Sequence, residues 1–100
     1  MVISKAAVAG TLESSDAMVS IEPGEAGIEL EITSSVLNQF GRQIRETVLA
    51  TLERCGVKDA RVNVVDKGAL DCTIKARTEC AIFRAAGASE RDIPWRGAVK

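Results

Sequence analysis

Residues 17–33 have the sequence Ala-Met-Val-Ser-Ile-Glu-Pro-Gly-Glu-Ala-Gly-Ile-Glu-Leu-Glu-Ile-Thr, in which two strand-like segments flank a turn. In residues 28–33, isoleucine and leucine alternate with glutamate, a pattern typical of a half-buried β-strand. Residues 17–22 show a similar alternation. Pro23 and Gly27 lie between the two segments and favour a chain reversal. The sequence therefore predicts a β-hairpin.

A helix is predicted directly after this pair of strands. Apolar residues recur at helical spacing from Val36 to Cys55, and Gly56 follows as a typical helix-ending residue. Either Ser34 or Ser35 can accept a backbone hydrogen bond at the start of the helix. The periodicity favours a helix that packs one apolar side against the strands.

The remaining elements complete an α+β pattern. Residues 61–66 predict a further strand, and residues 69–86 predict a second helix with Asp71 near its start and Gly87 after its end. Residues 4–11 add an edge strand at the beginning of the chain. The expected order is therefore β-β-β-α-β-α, an α+β fold in which two helices cover one face of a mainly antiparallel sheet.

The composition fits one small domain. The chain has 100 residues, so we expect a single domain over residues 1–100, with residues 88–100 as an irregular tail. Hydrophobic residues make up 46% of the chain, but no apolar run approaches the roughly 20 residues of a membrane-spanning helix. The N-terminus lacks the basic and then apolar pattern of a secretory signal. We expect a cytoplasmic protein without a membrane partner.

Several kinds of active site are disfavoured by the residue types. The chain contains no histidine and no tyrosine, so serine–histidine or cysteine–histidine nucleophile pairs cannot form within it. Its three cysteines form no Cys-x-x-Cys pair, and we expect no metal site. Glycine-rich nucleotide loops are also missing from the sequence. We expect no catalytic residue and no enzyme activity of the chain by itself.

A binding module remains an alternative, because residues 36–100 hold eight acidic and twelve basic residues. Six of the cations are candidates for phosphate contacts: Arg42, Arg45, Arg61, Lys67, Arg77 and Arg84. Sheets that recognise RNA usually stack bases on exposed aromatic side chains. Phe40 and Phe83 fall in the predicted helices, and Trp95 falls in the tail. The leading expectation is therefore a protein without a nucleic-acid partner. A noncatalytic module that binds protein or nucleic acid is kept as the alternative.

Two short blocks carry the most specific signal. The first is Ala-Val-Ala-Gly-Thr-Leu-Glu-Ser-Ser-Asp at residues 7–16, which places two serine hydroxyls in a polar segment before a strand. The second is Val-Asp-Lys-Gly-Ala-Leu-Asp-Cys at residues 65–72, which Ala76-Arg77 and Glu79 follow. Together, and in this order, they resemble the acyl carrier subunit, or gamma chain, of citrate lyase. The resemblance covers residues 7–85.

The resemblance implies a site of covalent attachment. In that family the serine of the Leu-Glu-Ser segment bears 2'-(5''-phosphoribosyl)-3'-dephospho-CoA through a phosphodiester, and the matching residue here is Ser14. Ser15 is the fallback if the alignment is shifted by one residue. A separate prosthetic-group transferase must reach the hydroxyl, so Ser14 is expected on an exposed, mobile loop. Glu13 and Asp16 flank it and are assigned to solvation of the loop or to recognition of a partner.

The same resemblance implies a carrier role within a complex. The thiol of the attached group would carry acetyl and citryl thioesters during the cleavage of citrate to oxaloacetate and acetate. Citrate lyase alpha and beta subunits would be the partners, the first exchanging acetyl for citryl and the second releasing oxaloacetate. The carrier of malonate decarboxylase is the related alternative, and the Ala-Leu-Asp-Cys run at residues 69–72 favours citrate lyase.

Overall fold

The computed structural model describes residues 2–34 and 37–87, with residues 37–40 described by their backbone alone. Six elements follow one another: β1 (Ala7–Gly10), β2 (Ala17–Pro23), β3 (Ile28–Ser34), α1 (Leu37–Arg54), β4 (Ala60–Asp66) and α2 (Asp71–Ala85). The predicted order β-β-β-α-β-α is confirmed. The predicted irregular tail, residues 88–100, and a helix cap at Ser35 lie outside the described residues.

The four strands form one mixed sheet in the spatial order β1-β2-β4-β3. Strand β2 pairs antiparallel with both β1 and β4, whereas β3 runs parallel to β4. Two of the three strand pairs are thus antiparallel. The α+β class and the mainly antiparallel sheet are as predicted, and the sheet also contains one parallel pair.

The predicted hairpin between β2 and β3 is wrong, because β4 lies between these two strands. Val62 of β4 is opposite Ile21 of β2 and also opposite Leu30 of β3. The chain leaves β3, passes through α1 and returns as β4, which is the crossover connection that parallel strands require. Val62 and Val64 of β4 are almost fully buried, so placing this valine-rich strand inside the sheet removes their apolar surface from water and stabilises the fold.

Both helices cover the same face of the sheet, as predicted. The largest fully buried apolar side chains come from both layers: Val19, Ile21 and Val64 of the sheet, Val48 and Leu52 of α1, and Ile74 and Ile82 of α2. Full burial of one such aliphatic side chain stabilises the fold by about 1.5–3 kcal/mol. The helices also meet each other through an ion pair between Arg54 and Glu79, whose atoms are 3.4 Å apart.

The other face of the sheet carries exposed polar side chains. Arg61, near the start of the interior strand β4, pairs with Glu22 on one neighbouring strand and Glu29 on the other, at 3.4 and 3.0 Å. Within residues 2–34 and 37–87, neither helix combines the length and the apolar character needed to cross a bilayer.

Candidate functional site

The loop between β1 and β2 holds both candidate serines. The backbone N–H of Asp16 donates to the carbonyl of Glu13 at 3.2 Å, so residues 13–16 form a β-turn with Ser14 and Ser15 at its centre. Ser15 has a φ angle of 65°, the left-handed conformation required at the third position of a type II turn. Both serines are exposed. The turn thus presents two neighbouring hydroxyls to solvent.

Ser14 occupies the second position of this turn. Its side chain is exposed, and no hydrogen bond joins its hydroxyl to another group in the described part of the chain. Esterification of this oxygen would therefore break no internal contact and would place the attached group directly in solvent. These features fit a phosphodiester-linked prosthetic group, which needs an accessible oxygen rather than a preformed cavity.

The carboxylate of Asp16 anchors the loop to the rest of the protein. It accepts hydrogen bonds from Nε and Nη2 of Arg77 at 3.0 and 3.1 Å. It also accepts from the Thr11 hydroxyl at 2.6 Å and from the Ala17 N–H at 2.7 Å. These donors, Arg77 foremost, hold the pKa of Asp16 well below its usual range. Of the two roles expected for Asp16, solvation of the loop is wrong, because donors within the protein occupy its carboxylate, and recognition of a partner stays a prediction.

A second set of contacts joins the loop to the turn after β4. The N–H of Ser15 donates to the carbonyl of Lys67 at 2.8 Å, and the N–H of Lys67 donates to the carbonyl of Asp16 at 2.9 Å. The two sequence blocks singled out above therefore lie side by side. The loop is exposed, as expected, and it is also fixed through both its side chains and its backbone.

The second block forms the turn from β4 into α2. Asp66 is buried, and its carboxylate accepts hydrogen bonds from the Ala69 N–H at 2.9 Å and from the Ser34 hydroxyl at 2.8 Å. Asp71 begins α2, where a negative charge is favourable near the helix dipole. Its carboxylate accepts a hydrogen bond from the Gln43 side chain of α1. These acidic residues thus support the turn on which the serine loop rests.

The cysteines differ in exposure. Cys72 is exposed, whereas Cys55 and Cys80 are partly buried, and none of the three is in a disulfide. Burial, together with the nearby Glu79 carboxylate, raises the pKa of the Cys55 thiol. No cluster of three or more potential metal-binding side chains occurs among the described residues.

Three of the cations considered for phosphate contacts bind groups within the protein. Arg61 pairs with two glutamates on the open face of the sheet, and Arg77 pairs with Asp16. Nη1 of Arg84 donates to the carbonyl of Val8 at 2.7 Å. Part of the hydrogen-bonding capacity of each of these three guanidinium groups is therefore occupied within the protein, which disfavours their use as phosphate contacts. The sequence did not indicate the pairing of Arg77 with Asp16, although Arg77 follows the second block of the family resemblance.

The amino-acid sequence of this chain is similar to those of known carrier proteins. The family described as malonate decarboxylase delta subunit (MdcD), an acyl carrier family, matches residues 4–85. The citrate lyase acyl carrier protein of Fusobacterium nucleatum is 55% identical over 91 residues, which cover 90% of this chain and 97% of that protein. The citrate lyase acyl carrier protein of Streptococcus mutans serotype c is 58% identical over 87 residues, covering 86% and 85%.

A solved structure shares the fold. It is a chain in the crystal structure of a Pseudomonas malonate decarboxylase hetero-tetramer in complex with malonate. The TM-score is 0.68 over 83% of this chain and 86% of that chain. The sequence identity is 23%, so this likeness supports the arrangement of helices and strands and nothing more specific.

Proposed function

Because this chain belongs to the citrate lyase acyl carrier protein family, we propose that it is a noncatalytic carrier subunit of citrate lyase. Ser14 holds 2'-(5''-phosphoribosyl)-3'-dephospho-CoA through a phosphodiester. The attached group supplies a thiol for acetyl and citryl thioesters, and the protein supplies the attachment point and the surface that partners bind.

One observation supports attachment at this turn. The Ser14 hydroxyl is exposed at the centre of a turn and bonded to no other described group, while the backbone on either side of it is held in place. Ser15 is also exposed, and no hydrogen bond joins its hydroxyl to another described group, so the match of Ser14 to the serine of the family's Leu-Glu-Ser segment decides between the two. An incoming enzyme therefore meets Ser14 as a free hydroxyl on a defined backbone.

The attachment step is a phosphoryl-type transfer onto this oxygen. The Ser14 hydroxyl oxygen attacks a phosphorus atom of an activated donor held by the transferase, and a new P–O bond forms. The bond between that phosphorus and the polyphosphate leaving group breaks. The hydroxyl proton passes to a base of the transferase.

The partners we propose are the alpha and beta subunits of citrate lyase and the prosthetic-group transferase. Tethering raises the effective concentration of the thioester at both active sites, so the carrier itself needs no catalytic group. The engaged arginines described above favour this function over nucleic-acid binding. We expect the complex in the cytoplasm, without a membrane or nucleic-acid partner.

Intact-mass spectrometry after co-expression with the cognate transferase tests the proposal. The wild-type chain should gain the mass of one phosphoribosyl-dephospho-CoA group, and Ser14→Ala should gain none. Cys72→Ala is the matched control, because Cys72 is also exposed and lies in the second block. It should be modified like the wild type. Modification that persists in Ser14→Ala and disappears in Ser15→Ala would move the site to Ser15, and absence of modification in the wild type would refute the carrier function.

The carrier of malonate decarboxylase is a second candidate, favoured by the description of the matching family. Reconstitution separates the two. The modified chain should restore citrate cleavage to carrier-free citrate lyase subunits. Restoration of malonate decarboxylation alone would establish the second candidate.

A further inference from the structure

We infer that Asp16 and Arg77 are positioning residues for attachment: their ion pair fixes the turn at residues 13–16, so that Ser14 meets the transferase in one orientation. This inference rests on the proposed attachment at Ser14. It assigns no contact between either residue and the prosthetic group.

The ion pair has the geometry of a clamp. Two nitrogens of Arg77 bind the two carboxylate oxygens of Asp16, an arrangement that fixes direction as well as distance. The Asp16 side chain is only 14% exposed, so water competes weakly for its oxygens. Since Arg77 projects from α2, the clamp connects the serine loop to the helical layer of the protein.

The same carboxylate closes both ends of the loop. Thr11 begins the loop and donates its hydroxyl to Asp16, and Ala17 begins β2 and donates its N–H. The Thr11 hydroxyl oxygen in turn accepts the Glu13 N–H at 3.2 Å. A continuous hydrogen-bonded path therefore runs from Arg77 through Asp16 and Thr11 to the residue that precedes Ser14.

The residue that follows Ser14 is held from the other side. Ser15 donates its N–H to Lys67, and the neighbouring Asp16 carbonyl accepts the Lys67 N–H. Ser15 has a positive φ angle, which is unfavourable for a residue with a side chain and persists only where surrounding contacts enforce it. Loss of the clamp should let this turn relax into other conformations.

A relaxed turn has a specific kinetic consequence. If only a fraction of molecules holds the productive turn, the apparent affinity for the transferase falls by that fraction. Once bound, the serine reaches the same geometry, so the rate of the chemical step changes little. Loss of a positioning pair should therefore raise the KM for the carrier and leave kcat nearly unchanged.

The experiment measures attachment kinetics on the full-length carrier with purified transferase and its activated donor, at several carrier concentrations. Arg77→Gln and Asp16→Asn should each raise the KM for the carrier about tenfold while kcat stays within about twofold. The double variant should be no worse than either single variant, because both remove the same contact. Arg77→Lys, which keeps the charge, should recover part of the loss.

Arg61→Gln is the matched control, since it removes an arginine that pairs with carboxylates on the open face of the sheet. Its KM and kcat should equal those of the wild type. Amide hydrogen exchange on the free carrier gives a readout that does not involve the transferase. In Arg77→Gln, the N–H groups of Ser15 and Lys67 should exchange at least about tenfold faster, while the β4 amides keep their protection.

The results distinguish the inference from the proposed function. If the wild type is modified and the KM values of Arg77→Gln and Asp16→Asn equal the wild-type value, the positioning role is refuted and the carrier function stands. Unchanged exchange at Ser15 and Lys67 in Arg77→Gln would likewise refute the clamp. A wild-type chain that accepts no group at all would refute both.

Loss of β4 protection in Arg77→Gln would reveal general unfolding of that variant. The kinetics of Arg77→Lys would then decide. A wild-type KM for Arg77→Lys refutes the clamp, and a raised KM with intact β4 protection supports it.

Discussion

The hydroxyl of Ser34, at the end of β3, donates a 2.8 Å hydrogen bond to the carboxylate of Asp66, at the end of β4. The two residues are opposite each other in the parallel pairing of these strands. Asp66 is 2% exposed and also accepts the Ala69 N–H in the following turn. One buried carboxylate therefore joins the ends of two strands to the turn that supports the serine loop.

Asp66→Ala should lower the free energy of unfolding by about 2 kcal/mol, because it leaves the part-buried Ala69 N–H without its acceptor. Asp66→Asn should cost less, since the amide oxygen can still accept that bond. Urea unfolding of the three proteins measures the difference. Equal stability of Asp66→Ala and the wild type would contradict the role assigned to the carboxylate.

Gly10 ends β1 at the entrance to the serine loop, where its φ angle is 95°. A Cβ atom at this position would lie 1.9 Å from the Ala17 carbonyl oxygen, so the backbone would have to move. Gly10→Ala should therefore destabilise the protein by about 3 kcal/mol, which combines the left-handed backbone with the steric overlap.

Gly27→Ala is the control for this substitution. Gly27 also has a positive φ angle, 82°, but a Cβ atom there would meet nothing within 4 Å. Its cost should be about 1 kcal/mol, from the backbone conformation alone. Similar unfolding midpoints for the two variants would show that the close approach to Ala17 is unimportant.

The sequence predicted the elements well because their signals are local. The helix predicted from Val36 to Cys55 is observed as Leu37–Arg54, since apolar residues at helical spacing need no knowledge of the rest of the chain. Alternation in residues 28–33 likewise identified which side chains face the core. It could not identify the neighbouring strand, because alternation shows which face of a strand is buried and not whether β2 or β4 lies at its edge.

Only the local part of the site was predicted, because contacts between distant residues leave no pattern in the sequence. Ser14 was proposed from a contiguous block, and the structure shows it exposed at a turn. The Asp16–Arg77 pair joins residues 61 positions apart, so no periodicity or turn pattern reveals it. Asp16 ends the first block of the family resemblance and Arg77 follows the second, so the resemblance named both residues without showing that they touch.

The Asp16 carboxylate should make stability depend on pH in a defined direction. Its pKa is lower in the folded protein than in the unfolded chain, where an aspartate titrates near about 3.9, because Arg77 and Thr11 donate to the ionised form. The stabilisation is present above that pH and is lost as the pH falls through the folded-state pKa. Asp16→Asn should therefore be less stable than the wild type at neutral pH.

The difference between the two proteins should shrink as the pH falls below about 4. Chemical unfolding at pH 7, 5, 4 and 3 measures it. Asp59→Asn is a suitable control for a lost surface carboxylate, since the Gly27 N–H is the one group that Asp59 binds among the described residues. A stability difference for Asp16→Asn that stayed constant down to pH 3 would contradict a lowered pKa.

Ile82 and Leu70 differ in burial: Ile82 is a core residue of α2, and Leu70 lies on the surface just before this helix. Ile82 is fully buried, so Ile82→Ala should lower the free energy of unfolding by about 3 kcal/mol. Leu70 is 71% exposed just before α2, and Leu70→Ala should change stability by less than about 0.5 kcal/mol. A large loss for Leu70→Ala would mean that its side chain supports the turn.

The three cysteines should react with a thiol reagent in an order set by their surroundings. Cys72 is exposed near the start of α2, so its sulfur is accessible in the folded protein. Cys55 is partly buried, and burial and the neighbouring Glu79 raise the pKa of its thiol, which lowers the thiolate fraction at neutral pH. Brief labelling with iodoacetamide and peptide mass mapping should show Cys72 modified first and Cys55 much later. Faster labelling of Cys55 would show that α1 opens near its C-terminus.

In the modified carrier, a further fast-reacting thiol that Cys72→Ala does not remove should map to the peptide that contains Ser14, because the prosthetic group would bring its own sulfur.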